Sequence, residues 1–312
     1  MNFLFFMDPL NTVIMEKDTT FALMLGAHRK GHKIFYIPDG GVSFREGQLF
    51  FTATPVVPQR NAERPFVEQE PLILDETDVH VIFIRNDPPF DQQYLFNTWM
   101  LDKLVHHVPI INSPHGIRTV NEKIWATQFT SIVPKTLVSR QKDDLVDFIH
   151  DLKHVVAKPI DGFGGQGIFQ VKEGDLNTNV ILETLTNSWK QDIILQQYVP
   201  AAQNGDKRIL LLDGEPLGAV LRVHSRDDHR NNFFAGGKPH AAEITERDQE
   251  IIETLSPHLK RLGLYFVGID IIGDYLIEVN VTSPTCLQEM NRLTGQELED
   301  RVIEFAENLV EE

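Results

Sequence analysis

Short apolar segments alternate with a helical segment along the first part of the chain. Residues 2–7 are almost wholly apolar, residues 19–30 follow the N-cap candidate Asp18, and residues 32–38 form a second apolar segment. Another strongly apolar strand covers residues 79–85. Strand, helix and strand in this order predict an open parallel sheet at the start of the chain.

The apolar pattern is less regular between this sheet and residue 120. We place a domain boundary at about residue 120, and the segments after it are mainly predicted hairpins. Before the boundary we expect a hairpin at 42–54, a loop at 55–76, a helix at 92–107 behind Asp91 and a short strand at 109–112. Beyond it we expect helices at 122–129, 142–152, 246–262 and 295–311, strands at 136–138 and 192–199, and strand pairs within 154–171, 206–223 and 265–285. The predicted fold class is α/β (α+β), with an N-terminal open parallel domain followed by mostly antiparallel sheets.

The hairpin predicted at 265–285 carries polar side chains where an apolar interior is expected. Asp270, Glu278 and Asn280 interrupt two apolar runs, and a carboxylate among apolar strands is costly to bury unless it is paired or binds a cation. With a three-residue loop, all three side chains share one face; with a two-residue loop, Asp270 falls on the other face. Oxygen ligands of this kind suit Mg²⁺ better than zinc. The alternative is a strand whose polar residues are solvated.

Composition and charge exclude several classes of partner. The 312 residues carry a formal net charge of −16, which argues against nucleic acid and anionic membranes as partners. No segment resembles a membrane span. The apolar start lacks a basic region, and the single Cys286 excludes an internal disulfide, so a cytoplasmic location is expected. An anionic substrate would therefore need a site that is locally basic or neutralised by a metal ion.

A glycine-rich loop lies between the two strands predicted within 154–171. Lys158 ends the first strand, and four glycines follow between Gly162 and Gly167. The backbone amides of such a loop can approach an anion closely, and a phosphate is the natural occupant. A strand follows the loop and the Walker lysine is missing, so this is not a P-loop. An ordinary glycine-rich turn is the alternative, and the neighbouring lysine favours phosphate binding.

Two further loops carry charged residues. Arg85 and Asp87 stand at the carboxyl end of the strand at 79–85, where open α/β sheets bind ligands. The alternative for this segment is a stiff turn in which Asp91 caps the next helix. The long loop at 224–242 is rich in arginine and glycine, and it is either an active-site lid or a solvated insertion.

Seven motifs, taken in order, resemble the ATP-grasp superfamily. They are MDP at 7–9, DPPFD at 87–91, NEK at 121–123, KP with DG and GG at 158–165, GDKR at 205–208, AGG at 235–237, and FVGIDIIGDYLIEVNVTSPT at 266–285. Their amino-acid sequences are most similar to those of the prokaryotic glutathione synthetase family, and the resemblance covers essentially the whole chain.

The resemblance implies an ATP-dependent ligase that joins γ-glutamylcysteine to glycine in the presence of Mg²⁺. A substrate carboxylate attacks the γ-phosphate of ATP to give an acyl phosphate, and the glycine amine then displaces phosphate to give glutathione. Such chemistry needs positioning, cations around the phosphoryl oxygens and exclusion of water. The implied domains are a substrate-side α/β domain at 1–120, a central ATP-grasp lobe at 121–199 and a C-terminal ATP-grasp lobe at 200–312.

The resemblance also assigns roles to single residues. The residues implied in ATP binding are Lys123, Lys158, Gly162, Phe163, Gly164, Gly165, Gln166, Gly167, Gln197, Tyr198, Val199 and Asp206. Two Mg²⁺ ions, or Mn²⁺ in their place, would bind to Asp270, Glu278 and Asn280. The catalytic arginines would be Arg208, Arg222 and Arg230. The substrate side would include Asp8, Arg85, Asp87, Gly236, Gly237, Ser283 and Thr285.

Two other functions are compatible with parts of this pattern. One is an ATP-grasp ligase for another amino acid or peptide, against which the substrate-side motifs at 7–9 and 87–91 argue. The other is a non-catalytic nucleotide-binding regulatory protein, which should have lost a metal ligand or a phosphate lysine; none is missing. The chain departs from the family pattern after Arg230, where Asn231 replaces glycine. Assemblies vary in the family, so the resemblance is compatible with a homo-oligomer, either dimer or tetramer, and does not decide between them.

Overall fold

The computed structural model describes residues 1–162, 164–223 and 237–311, and three predicted site residues, Phe163, Arg230 and Gly236, lie outside these ranges. The strands are β1 (Asn2–Phe6), β2 (Lys33–Ile37), β3 (Val42–Arg45), β4 (Gln48–Pro58), β5 (Phe66–Glu68), β6 (Leu72–Asp75), β7 (Val81–Ile84), β8 (Ile110–Ile111), β9 (Thr136–Ser139), β10 (His154–Pro159), β11 (Phe169–Lys172), β12 (Ile193–Gln197), β13 (Asp206–Leu212), β14 (Glu215–Val223), β15 (Lys238–Ala241), β16 (Phe266–Ile272) and β17 (Tyr275–Asn280). The helices are α1 (Thr19–Arg29), α2 (Gln92–Leu101), α3 (Pro114–Thr119), α4 (Lys142–Leu152), α5 (Thr178–Leu185), α6 (Glu246–Arg261), α7 (Leu287–Thr294) and α8 (Leu298–Glu311). Across these ranges, no helix has the length and apolar character needed to cross a membrane.

The first sheet has a parallel centre with antiparallel strands at one side. Its order is β3-β4-β2-β1-β7-β8, in which β2, β1, β7 and β8 run parallel. The residues of β7 and nearly all those of β1 are buried, as is usual for parallel strands covered on both faces. Asp18 caps α1 by accepting a hydrogen bond from the N–H of Phe21 at 2.7 Å. The open parallel sheet predicted at the start of the chain is confirmed.

Two segments of this first part differ from the sequence prediction. Residues 55–76, predicted as a loop, contain the end of β4 and the strands β5 and β6, which pair with it. Strands of three and four residues are too short for their alternation to stand out among prolines and glutamines. The helix predicted at 92–107 begins behind Asp91 as expected but ends as an α-helix at Leu101, followed by a 3₁₀ turn.

The helix predicted at 122–129 is wrong as well. Only a 3₁₀ turn, Trp125–Gln128, forms there. The carbonyl oxygen of Glu122 accepts a hydrogen bond from the N–H of Val279 at 2.9 Å. Tertiary contacts with β17 therefore take the place of the first helical turn. The short helices α3, α5 and α7 were not predicted.

Two antiparallel sheets follow the parallel one. The smaller has the order β11-β10-β12-β9 and shares an apolar core with α4 and α5. The larger has the order β15-β14-β13-β16-β17, and its first hairpin turns at Asp213 and Gly214, whose φ angles are +47° and +72°, as in two-residue hairpin turns. The larger antiparallel sheet shares one core with the first sheet, to which Ile82 and Ile269 both belong.

The register of β16 and β17 combines the two alternatives that the sequence left open. The turn between these strands holds only two residues. A β-bulge beside Asp270 nevertheless brings Asp270 opposite Glu278 and Gly268 opposite Asn280. Because a bulge adds one residue to one strand, it moves the side chains beyond it to the other face. The turn is thus the two-residue alternative, but Asp270, Glu278 and Asn280 are paired as expected for the three-residue alternative.

Candidate active site

One cleft between the two antiparallel sheets gathers most of the predicted site residues, and its volume is about 260 Å³. Those lining it are Asp87, Lys123, Lys158, Gly162, Gly164, Gly165, Gln166, Gln197, Tyr198, Val199, Asp206, Arg208, Arg222, Asp270, Glu278, Asn280, Ser283 and Thr285. Four predicted residues that the structure describes, Asp8, Arg85, Gly167 and Gly237, are not part of the lining. Apolar side chains of Val156, Ile168, Ile272 and Ile277 complete the walls beside Gln197, Tyr198 and Val199.

Lys158 is the buried cation of the smaller sheet. Its side chain is nearly inaccessible, and its Nζ donates a hydrogen bond to Gln196 Oε1 at 3.1 Å. The amide of Gln196 is held in turn by Thr136 Oγ1 at 3.0 Å. Burial lowers the pKa of Lys158 to about 8, while the charge of Glu278 raises it and that of Lys123 lowers it. Sequence reasoning missed Gln196, which orients this lysine.

Lys123 connects the glycine-rich loop to the larger sheet. Its Nζ donates a hydrogen bond to the carbonyl oxygen of Gly162 and lies 3.4 Å from Glu278 Oε1. The Oδ1 atom of Asn121 accepts a hydrogen bond from the N–H of Lys123 at 3.1 Å. The lysine therefore bridges the glycine-rich loop and β17.

Two arginines and two aspartates form a charged group on the larger sheet. Arg208 binds Asp270 through two hydrogen bonds, one of them from Nη2 to Oδ2 at 2.7 Å. Arg222 binds Asp206 in the same bidentate way and also lies 3.0 Å from Asp270 Oδ1. Both pairs are cross-strand neighbours. Bidentate contacts of this kind fix the planes of guanidinium and carboxylate together.

The two aspartates differ in how burial and charge balance. Burial raises the pKa of Asp270, but the positive charges of Arg208 and Arg222 outweigh it and hold that pKa well below its usual value. Burial also raises the pKa of Asp206, and there the charge of Arg222 only reduces the shift. Asp270 is therefore held as a carboxylate at any physiological pH.

The donor set around Asp270 fits Mg²⁺. Asp270 and Glu278 are direct cross-strand neighbours, and Asn280 Nδ2 lies 3.5 Å from Asp270 Oδ2. Within the described ranges, no group of three or more His, Cys, Asp or Glu is arranged to hold a metal ion by itself. Two carboxylates and an amide supply only part of a magnesium shell, which suits an ion that keeps waters and phosphate oxygens as its other ligands.

Glu122 is a cleft residue that sequence reasoning missed. Its Oε1 accepts hydrogen bonds from the N–H of Val281 at 2.9 Å and from the N–H and hydroxyl of Thr282 at 3.2 and 2.9 Å. Burial raises its pKa, and the bonds from Thr282 oppose that rise. Its place in the NEK motif, next to Lys123, was the only signal in the sequence.

Three residues predicted on the substrate side, Asp8, Asp87 and Ser283, are linked by hydrogen bonds where the first sheet meets the cleft. Asp8 Oδ2 accepts a hydrogen bond from the N–H of Asp87 at 2.9 Å. Burial raises the pKa of Asp87, and a hydrogen bond with Ser283 lowers it. Arg85 is buried outside the cleft lining and donates to Thr20 Oγ1 at 3.0 Å and to the carbonyl of Pro284 at 2.9 Å. In this structure Arg85 thus supports the segment that carries Ser283.

Two family models match the chain in succession. The N-terminal domain of prokaryotic glutathione synthetase matches residues 1–118, and the ATP-grasp domain of prokaryotic glutathione synthetase matches residues 122–295. The chain belongs to the prokaryotic glutathione synthetase family. It is therefore an ATP-dependent ligase with an ATP-grasp fold, and the resemblance inferred from its motifs is confirmed.

Named relatives in this family match over nearly their full length. The glutathione synthetase of Thermosynechococcus vestitus is 41% identical, over 97% of this chain and 98% of the relative. The glutathione synthetase of Pseudomonas aeruginosa is 38% identical, over 96% of this chain and 95% of the relative.

Solved structures with low sequence identity share the fold. D-cycloserine synthetase DcsG has a TM-score of 0.67 at 13% identity, with 99% of each chain covered. D-alanine–D-alanine ligase from Bacillus anthracis, complexed with ATP, has a TM-score of 0.59 at 14% identity and covers 100% of this chain and 99% of its own. The ATP-grasp ligase PsnB, complexed with a minimal precursor, Mg and ADP, has a TM-score of 0.64 at 14% identity, over 99% of this chain and 97% of its own. These similarities confirm the predicted ATP-grasp fold.

Proposed function

We propose that this ligase joins the cysteine carboxylate of γ-glutamylcysteine to the amine of glycine, with ATP as the source of energy. The observation that carries the proposal is the meeting of Lys123, Lys158, Arg208 and Arg222 with Asp270, Glu278 and Asn280 in one cleft. Relatives named glutathione synthetase, which match 96–97% of the chain, support this choice of substrates.

The reaction proceeds in two displacements. A carboxylate oxygen of γ-glutamylcysteine attacks the γ-phosphorus of ATP, the bond to the bridging oxygen breaks, and ADP leaves. The glycine nitrogen then attacks the carbonyl carbon of the acyl phosphate, loses a proton, and phosphate leaves with the bonding pair. The products are glutathione, ADP and phosphate, and the protein contributes mainly position and charge.

Among the described residues of the cleft, four lysines and arginines have separate positions in this scheme. Lys158 and Lys123 approach the phosphates of ATP from the smaller sheet and from beside the glycine-rich loop. Arg208 and Arg222, held by their aspartates, stabilise the negative charge that develops on the acyl phosphate. These cations share the cleft with five carboxylates, those of Asp87, Glu122, Asp206, Asp270 and Glu278. In a chain whose net charge is −16, anionic substrates would therefore need bound Mg²⁺ as well as these cations.

Asp270, Glu278 and Asn280 would hold two Mg²⁺ ions, with Mn²⁺ as an alternative. When bound, such ions neutralise charge on the transferring phosphoryl group. In this scheme the predicted domains have different roles. The domain at 1–120 forms the substrate side, and the central lobe at 121–199 and the C-terminal lobe at 200–312 bind ATP between them. Asp87 and Ser283 stand on the substrate side of the cleft.

The test is a set of omission experiments with purified protein. We expect ADP release, and a product with the mass of glutathione, only when ATP, Mg²⁺, γ-glutamylcysteine and glycine are all present. Equal ADP release with D-alanine alone would identify a different amino-acid ligase. No release with any acceptor would support a nucleotide-binding protein without ligase activity and would contradict the proposal.

A further inference from the structure

Glu122 has no role in the reaction described above, although it lines the cleft next to Lys123. We propose that Glu122 is a positioning residue, which holds the end of β17 so that Asn280 and Ser283 face the nucleotide and the peptide substrate. The inference rests on the nucleotide and metal part of the proposed function and does not depend on which acceptor amine is used.

The contacts of Glu122 form a three-point clamp on one short segment. Its carbonyl oxygen accepts from the N–H of Val279 at 2.9 Å. Its Oε1 accepts from the N–H of Val281 at 2.9 Å and from both the N–H and the hydroxyl of Thr282. The main chain and the side chain of one residue therefore fix three positions of this segment, 279, 281 and 282, at the end of the hairpin.

The clamp encloses a residue of the predicted metal site. Asn280 lies between two of the fixed positions, and its amide contacts Asp270 at 3.5 Å and the carbonyl of Gly268 at 3.3 Å. A change in the backbone of this segment would move the Asn280 side chain relative to the carboxylates. Metal sites commonly contain residues such as Glu122, which orient a metal-binding side chain without contacting the metal themselves.

The clamp also connects the two sides of the cleft. Ser283 follows the fixed segment directly and is hydrogen-bonded to Asp87, in the loop that follows β7 of the first sheet. Lys123 follows Glu122 and contacts the carbonyl of Gly162 in the glycine-rich loop. One glutamate thus sets the spacing between a phosphate-binding lysine, a metal ligand and the substrate side.

A carboxylate is well suited to this task. A single Oε1 atom accepts three hydrogen bonds, which a neutral hydroxyl could not satisfy with the same strength. The position on the cleft wall, with the carbonyl oxygen facing β17, also explains why residues 122–124 do not continue into the predicted helix. Glu122 therefore both holds residues 279, 281 and 282 and lies beside the proposed nucleotide site.

The test measures metal binding directly, separately from turnover. Free Mn²⁺ is titrated by electron paramagnetic resonance in the presence of a non-hydrolysable ATP analogue, for the full chain and for Glu122→Ala. We expect the half-saturating Mn²⁺ concentration to rise at least about tenfold in the variant, the range found when an orienting partner of a metal ligand is removed. Glu122→Gln keeps the acceptor oxygen and should recover most of the affinity.

A matched control loses the same kinds of bond at a distance from the cleft. Asp75 Oδ1 accepts from the N–H of Thr77 at 2.8 Å and from its hydroxyl at 2.6 Å, and it does not line the cleft. Asp75→Ala should lower thermal stability and leave Mn²⁺ half-saturation at the wild-type value. If Glu122→Ala does not fold, Glu122→Asp, whose carboxylate falls short of Thr282, replaces it with the same expected direction.

Three outcomes separate the possibilities. A folded Glu122→Ala or Glu122→Asp variant with wild-type Mn²⁺ half-saturation overturns the positioning role. A wild-type protein that binds Mn²⁺ with the ATP analogue but makes no glutathione rejects the proposed substrates and leaves the test of Glu122 valid. A wild-type protein that binds no Mn²⁺ with the analogue overturns both.

Discussion

At the scale of single residues, the predicted metal-binding carboxylates of the cleft are each paired with a cationic side chain. Asp270 contacts both Arg208 and Arg222, and Glu278 contacts Lys123. The two arginines keep Asp270 ionised, and a metal ion bound here would have to replace one partner of each carboxylate. Glu278 is the more accessible of the two carboxylates, with 21% of its side chain exposed against 8% for Asp270.

Glu278→Ala should abolish turnover without unfolding the protein. The variant removes one of two carboxylates from the proposed magnesium site. Loss of a residue that only orients a metal ligand costs about 10–100-fold, so loss of a ligand itself should lower the rate of ADP release by at least about 100-fold. Circular dichroism should show unchanged secondary structure because Glu278 lines the cleft and is not part of the apolar core.

Glu250→Ala is the control for this variant. Glu250 pairs with Arg247 at 2.8 Å on the surface of α6, and its loss should change neither the rate nor the structure measurably. Wild-type turnover in Glu278→Ala would remove the metal assignment from Glu278.

The pKa of Lys158, lowered by burial to about 8, predicts a pH dependence of nucleotide binding. The charged form, which binds phosphate, is present below that pKa and is lost as the pH rises through it. The affinity for a non-hydrolysable ATP analogue, measured by calorimetry, should therefore be constant up to about pH 8 and fall by up to about tenfold per pH unit above it.

Lys158→Arg separates this titration from other effects of alkaline pH, because a guanidinium stays charged across the whole range. We expect the variant to show no fall in affinity between about pH 8 and about pH 9.5. Equal falls in the variant and the wild type would show that another group controls the pH dependence.

Single residues were predictable where the sequence itself isolates them. Asp270, Glu278 and Asn280 stand out because they interrupt apolar runs, and Lys158 because it ends a strand before four glycines. Gln196 and Glu122 carry no such local signal, since their partners, Lys158 and Thr282, lie far away along the chain. Their roles follow only from the tertiary structure.

At the scale of elements, the hairpin β16–β17 shows how register decides the site. Its turn has two residues, which without a bulge would have placed Asp270 on the face opposite to Glu278. The bulge beside Asp270 restores their pairing. Sequence patterns define loop length poorly and do not reveal bulges, so the site could be predicted as one of two alternatives and no further.

Gly268 gives this hairpin the space that the arginine needs. A Cβ atom at this position would lie 3.0 Å from Pro284 Cβ and 3.2 Å from Arg208 Cδ. Gly268→Val should therefore displace Arg208 from Asp270 and lower turnover about 100-fold, the effect of a misplacement of about 1 Å. Thermal unfolding of the same protein should show a loss of roughly 1–3 kcal/mol from overpacking.

Gly268→Ala provides the graded comparison, because a single methyl requires shifts of only a few tenths of an ångström. Its turnover should lie between those of the wild type and Gly268→Val. A valine variant with wild-type turnover would show that the position of Arg208 tolerates this displacement.

At the scale of the whole molecule, the order of elements was enough to predict the architecture. The β-α-β start gave the parallel sheet, and the hairpins beyond residue 120 gave the antiparallel sheets. The short strands β5 and β6 and the 3₁₀ turn Trp125–Gln128 were missed, because contacts with distant segments decide them. The common core of the first and the larger antiparallel sheet could not be read from either part alone.

The transfer of oxygen during turnover tests the central claim most directly. γ-Glutamylcysteine labelled with ¹⁸O in its cysteine carboxylate is incubated with ATP, Mg²⁺ and glycine, and the phosphate released is analysed by mass spectrometry. Attack of that carboxylate on the γ-phosphorus predicts one ¹⁸O atom in phosphate for each glutathione formed. Glutathione that forms while the phosphate remains unlabelled would contradict activation of this carboxylate by phosphoryl transfer.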